Sequence, residues 1–183
     1  MKTLKYIIIL ISYLSLSASS CKKDKTGIDA LPPATQEGRN TFGCLVNGEV
    51  LLPKVKGLGV GQPVLRGSYY YQNFNEKVGY YLTISATDNN STLKSIIINT
   101  DSLKIEQNKT YMFENFGMKG LSYARYTVSL DTYYTNTDNS GELKITRLDE
   151  SKKIISGTFW FDAVNEVGEK VEVREGRFDM SYR

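Results

Sequence analysis

From Thr41 to the C-terminus, apolar and polar residues alternate with a period of two, the pattern of strands that bury one face. Val78, Tyr80, Leu82, Ile84 and Ala86 fall on one side of such a strand, and Thr83, Ser85 and Thr87 on the other. Read along the chain, the pattern predicts strands over 41–46, 49–52, 67–72, 78–87, 93–100, 110–116, 123–135, 142–148, 154–163 and 170–182. Ile96-Ile97-Ile98 breaks the alternation and is expected to be covered on both sides. Asn47-Gly48 between the first two strands is a strong two-residue hairpin signal. In the last strand Val171 and Val173 lie on odd positions but Phe178, Met180 and Tyr182 on even ones, so the register must flip. A bulge at Glu175-Gly176 would do it, with glycine supplying the backbone freedom. A short helical turn is expected only around 101–107. About ten strands in one domain, 41–183, predict an all-β fold, a single antiparallel β-sandwich or barrel.

Upstream of the strands, residues 22–40 are polar, carry Pro32-Pro33 and show neither strand nor helix periodicity, which reads as a flexible linker. Before it come Lys2, Lys5 and an apolar run from Tyr6 to Leu16. That run is shorter than the ~20 residues a spanning helix needs and reads as the core of a secretory signal. Ala18-Ser-Ser-Cys21 then resembles the lipobox of bacterial lipoproteins, with Ala18 and Ser20 standing where many such boxes carry Leu and Gly or Ala. The resemblance implies cleavage after Ser20 and lipidation of Cys21, with a thioether-linked diacylglycerol and a palmitate-type acyl chain. The membrane would then be a partner, reached through Cys21, since two or more acyl chains hold stably. The implied location is the cell envelope, on the outer membrane, at its periplasmic face or at the cell surface. Lys22-Lys-Asp-Lys25 matches only in part the lysine-plus-acid export signal of Bacteroidetes-type lipoproteins, so both faces stay open. The competing reading is an ordinary secretory cleavage that leaves a spare thiol. The expected organisation is signal 1–20, lipidated Cys21 with linker 21–40, and domain 41–183.

Charge and composition narrow the chemistry. Loss of residues 1–20 removes two lysines and no acid, which takes the formal charge from +3 to +1. A near-neutral chain lacks the cationic surplus of a nucleic-acid binder. There is no histidine, which removes Ser-His-Asp and Cys-His catalysis and His-ligated zinc. With Cys21 lipidated, Cys44 has no partner for an intramolecular disulfide, and its place on a face with Phe42 and Val46 predicts a small buried core residue. The glycine-rich stretch 54–65 lacks the spacing and lysine of a phosphate-binding loop. No cofactor is expected.

Eleven of the thirteen tyrosines follow Cys21, in clusters such as Tyr69-Tyr70-Tyr71, Tyr80-Tyr81 and Tyr133-Tyr134. Neighbouring rings on a strand point to opposite faces, so one of each pair can lie outside. Trp160, in antiphase with Phe159 and Phe161, is the leading outward aromatic; Tyr70, Tyr81 and Tyr133 join it as candidate stacking surfaces for a glycan. The alternative is tyrosine as a favoured strand residue. Asp162, Glu166, Glu169, Glu172, Glu175 and Asp179 crowd the C-terminal region, where a glycosidase would need two carboxylates ~5 to 10 Å apart. Interleaved Lys170, Arg174 and Arg177 favour a solvated, charge-paired strand face instead. Asn136-Thr-Asp-Asn-Ser-Gly141 imitates half a calcium loop, but Arg147 stands where a bidentate glutamate belongs, so a turn is expected.

Leu31-Pro-Pro-Ala-Thr-Gln36, Asn40-Thr-Phe-Gly-Cys-Leu-Val-Asn-Gly48, Gly157-Thr-Phe-Trp-Phe-Asp-Ala163 and Gly176-Arg-Phe-Asp179 are together similar to a group of small uncharacterised Bacteroidetes lipoproteins. That resemblance implies an address and a β fold, and brings no site residues. The expectation is a non-catalytic binding or envelope-structural domain, with a glycan or an envelope protein as partner. A cell-surface glycan-binding module is the alternative, and a histidine-free polysaccharide hydrolase a third class.

Overall fold

The computed structural model describes residues 26–55, 64–74 and 77–183, and alternation becomes strand wherever one face can be buried. The strands are β1 Thr41–Val46, β2 Glu49–Leu51, β3 Lys54–Val55, β4 Leu65–Phe74, β5 Lys77–Asn89, β6 Lys94–Thr100, β7 Thr110–Phe113, β8 Ser122–Val128, β9 Asp131–Tyr134, β10 Gly141–Asp149, β11 Ile154–Val164 and β12 Lys170–Ser181. The only helical element among the described residues is one 3-10 turn, Gly27–Ala30, and 101–107 is irregular. All twelve strands join one sheet in the order β2-β1-β12-β11-β10-β7-β8-β6-β5-β3, with β4 on β5 and β9 between β8 and β11. Pairing is antiparallel except for β7 with β8 and β3 with β5.

The sheet closes on itself. Because β9 touches both β8 and β11, strands β7, β8, β9, β11 and β10 form a ring. At the other end Arg183 N–H donates to Gly67 O at 3.2 Å, and Tyr69 N–H donates to Arg183 O at 3.1 Å, tying the chain end to β4. Closure removes the unpaired strand edges that an open sheet would expose. One hydrophobic core fills the interior, with Leu82, Ile84, Ile96, Ile98, Phe113, Leu143, Ile145 and Phe161 fully buried. Cys44 belongs to this core, and burial pushes its thiol pKa up. At the β1–β2 turn both Asn47 (φ 49°) and Gly48 (φ 82°) take positive φ, which is why this dipeptide sits there.

Four expectations change. The strand expected over 123–135 is two, β8 and β9, folded at Ser129 (φ 54°); Leu130 continues the apolar period but stands at the turn, 97% exposed. Ile97 is only half-buried, because β6 has core on one side and solvent on the other. The bulge in β12 is present, with Phe159 facing Gly176 and Phe161 facing Val173. It is Glu175, however, that takes the left-handed conformation (φ 55°), while Gly176 is needed for room: a Cβ there would lie 2.5 Å from the Phe159 ring.

The fourth concerns the linker. From Leu31 to Asn40 the segment is a strap bound to the sheet. Leu31 is buried, and the strap lies so close to β1 that a Cβ on Gly43 would meet Pro32 at 2.7 Å. Asp179 of β12 receives hydrogen bonds from Thr35 Oγ1 (2.6 Å), Glu37 N (3.0 Å), Gly38 N (2.6 Å), Arg39 N (3.3 Å) and Ser156 Oγ (2.8 Å). Arg147 donates to Gln36 O, and Ser181 N–H donates to Asn40 Oδ1 at 3.0 Å. Asp179 therefore does not belong to a solvated acid face: its side chain points outward as the register requires, but the strap covers it, leaving it 1% exposed.

Candidate functional site

The β12 bulge builds a cleft on the outer face of β10, β11 and β12. Trp160 lies opposite Glu142 of β10, and the extra residue of the bulge places Arg174 and Glu175 together on its other side. The Arg174 guanidinium stands over the indole, its carbon 5.4 Å from the ring centroid. It is held there by Asp162 at 2.6 Å and by hydrogen bonds to Phe161 O (3.1 Å) and Val173 O (3.0 Å), with Glu172 at 3.6 Å. Arg177 pairs with Glu175 at 3.0 Å. The cleft holds about 550 Å³, and Ala34 of the strap, Lys144 and Thr158 complete its wall. Trp160 remains 38% exposed within it. Its chemistry is one aromatic plate ringed by fixed charged hydrogen-bonding groups, a combination that suits a polyhydroxylated ring.

The other aromatic candidates lie elsewhere. Tyr70 and Tyr81 are cross-strand partners on β4 and β5, their rings stacked with centroids 5.9 Å apart, and the Tyr81 hydroxyl meets Ser102 Oγ at 2.8 Å. In the strand order β10, β7, β8 and β6 stand between them and Trp160, so the structure does not gather these residues into one site. Tyr133 does not lie outside. It packs on the core against Tyr126, 6.0 Å between centroids, because the turn at Ser129 sets the register of β9 so that Tyr134 faces outward. Burial and the nearby Glu169 carboxylate raise its hydroxyl pKa, and the hydroxyl donates to Glu169 at 3.3 Å. Cys21 and its surroundings lie outside the described residues. The 136–141 segment is a turn in which Asn136 Oδ1 accepts from Asp138 N (3.0 Å) and Asn139 N (2.7 Å). Among the described residues no group of three or more acidic or cysteine side chains could hold a metal.

A second surface escaped the sequence reading. On the outside of β4, β5, β6, β8 and β9 the side chains form cross-strand rows: Arg66, Ser85, Ile97, Arg125 and Tyr134 in one, Ser68, Thr83, Asn99 and Tyr123 in the next, Thr87, Ser95, Thr127 and Thr132 in a third. Phe116, in the loop after β7, stands edge-on to both Tyr123 and Tyr134 at 4.9 Å.

A family model for a domain of unknown function, DUF6252, matches residues 62–180. The chain belongs to the DUF6252 family. Comparison with curated proteins and with solved structures finds no match. The DUF6252 stretch contains the Trp160 cleft apart from Ala34, and the whole of the outer face of β4 to β9 just described. It leaves β1, β2, β3 and the strap outside the match. Residues that a sequence reading could not place in the DUF6252 domain are Asp179 and Arg125. The first needs the strap to be seen as docked; the second carries no local signal, being one arginine in a Tyr-Ala-Arg-Tyr strand.

Proposed function

We propose that this protein is a lipid-anchored, extracytoplasmic domain of the Bacteroidetes lipoprotein type that binds a glycan in the Trp160 cleft and carries out no catalysis. The observation that carries the reading is the exposed indole of Trp160 at the centre of a cleft in which Arg174 and Arg177 are ion-paired and held in place. Sugar rings offer apolar C–H faces to an aromatic plate and hydroxyls to fixed donors and acceptors. Two of the carboxylates near Trp160 also speak for binding rather than hydrolysis. Asp162 and Glu175 are each engaged by an arginine, at 2.6 and 3.0 Å, and so are already held in ion pairs.

Two measurements test it. In a glycan-array screen of the full-length protein, Trp160→Ala is expected to weaken binding of the recognised neutral glycans about tenfold, the loss of one stacking partner. A Trp160→Ala variant that binds every glycan as the parent does overturns the reading. For the anchor, cells fed a labelled fatty acid are expected to label the parent protein and not a Cys21→Ser variant; equal labelling of both, or of neither, rejects lipidation at Cys21.

A further inference from the structure

On the outer face of β4, β5, β6, β8 and β9, Arg125 is the anomaly. It is half-buried, its Nε is closed off from solvent with no acceptor, and it makes no ion pair or hydrogen bond among the described residues. Arg39, Arg147, Arg174 and Arg177 each hold a carboxylate at 3.0 Å or less. Its Nε–H is a donor that the fold closes off from water and leaves without an acceptor. No acidic side chain occupies any of the three cross-strand rows around it; apart from Arg66 at the far end of its own row, the positions carry hydroxyls, an amide, one isoleucine and tyrosines.

We propose that Arg125 anchors a second binding site, for the carboxylate groups of a uronic-acid polysaccharide. The rigid planar fork of arginine matches a planar carboxylate through two parallel hydrogen bonds, and one fork at this point of the face suits one negative charge per sugar. Tyr123 precedes Arg125 by two residues on the same face, and Tyr134 lies directly opposite it across β8 and β9. Phe116 touches both rings and is itself 52% exposed, so the guanidinium sits beside aromatic walls on which a pyranose can rest. Thr83 and Asn99 in the adjoining row supply hydroxyl and amide partners for sugar oxygens. The rows run across four or five strands on an open face, which fits an extended chain better than a single sugar. The site is independent of the Trp160 cleft, since it shares no strand with β10, β11 or β12.

Titration calorimetry of the full-length protein in detergent, with oligogalacturonate as probe, tests the proposal. The parent is expected to bind oligogalacturonate with an affinity that falls as salt rises, and to bind its methyl-esterified form at least about tenfold more weakly. Arg125→Gln is expected to lose about tenfold or more in affinity for oligogalacturonate and to keep the parent's binding of neutral glycans. Arg125→Lys retains charge without the fork and should also lose affinity. A lost signal in Arg125→Gln with an unchanged melting temperature is loss of the site. Equal binding of the esterified probe, an unchanged affinity in Arg125→Gln, no oligogalacturonate binding by the parent, or a preference for single-stranded DNA over oligogalacturonate would each overturn it.

Discussion

Replacing Asp179 with alanine is expected to lower the unfolding free energy by about 3 kcal/mol and to open residues 35–39 to proteolysis. The carboxylate receives five hydrogen bonds, from Thr35, Glu37, Gly38, Arg39 and Ser156, four of them from the strap. Hydrogen bonds to a charged group contribute roughly 1.5–3 kcal/mol each, but the released strap recovers water, so the loss is far below their sum. Urea unfolding and limited proteolysis measure both effects, and Asp179→Asn, which keeps one acceptor oxygen, should fall about halfway. A variant with the parent's urea midpoint and an equally resistant strap would show that the contacts contribute little.

The same carboxylate sets a pH dependence. Burial pushes its pKa up, but the hydrogen bonds from Thr35, Glu37, Gly38 and Ser156 outweigh it and hold the group at about 2, below its ordinary 3.8. A carboxyl depressed on folding contributes stability that is complete above the unfolded pKa and lost as pH falls through the folded one. About 2 kcal/mol should therefore disappear between roughly pH 5 and pH 2, and the Asp179→Asn profile should be flatter there by that amount.

Gly176→Ala is expected to cost about 3 kcal/mol, since the new Cβ would stand 2.5 Å from the Phe159 ring. Phe159 cannot retreat, because it is itself buried, with Phe42 at 5.3 Å and Phe178 at 6.4 Å between centroids. Any shift of Phe159 is passed to its neighbour Trp160, so the variant should also lose glycan affinity and change its fluorescence, which comes from the chain's one tryptophan. Glu175→Gly is the contrast. There the left-handed backbone (φ 55°) favours glycine, and stability should hold or rise by up to about 1 kcal/mol. If Gly176→Ala unfolds like the parent, close packing over the bulge is not what shapes the cleft.

Much of this architecture was legible because its causes are local. Val78 to Ala86 alternate, and β5 buries Leu82, Ile84 and Ala86 as their phase requires. Asn47-Gly48 turns the chain where its backbone preference says it should. The phase change between Val173 and Phe178 marked the bulge, and the antiphase of Trp160 with its neighbours marked the outward aromatic. Where two local signals conflicted, the reading failed. Leu130 kept the apolar period of β8 across a point where the chain turns at Ser129, and that slip also assigned Tyr133 rather than Tyr134 to the outside.

Alternation and turn chemistry alone determined an all-β chain of about ten strands, the bulge and the outward indole, because side-chain phase and backbone preference act within a few residues. Only the tertiary structure decided that the sheet closes, that the polar segment before β1 is a strap locked onto Asp179, and that Arg125 stands without a counter-charge. Each of these joins residues from distant parts of the chain, as Thr35 does with Asp179 and Arg183 with Gly67. No stretch of sequence short enough to carry a pattern contains both halves of such a contact.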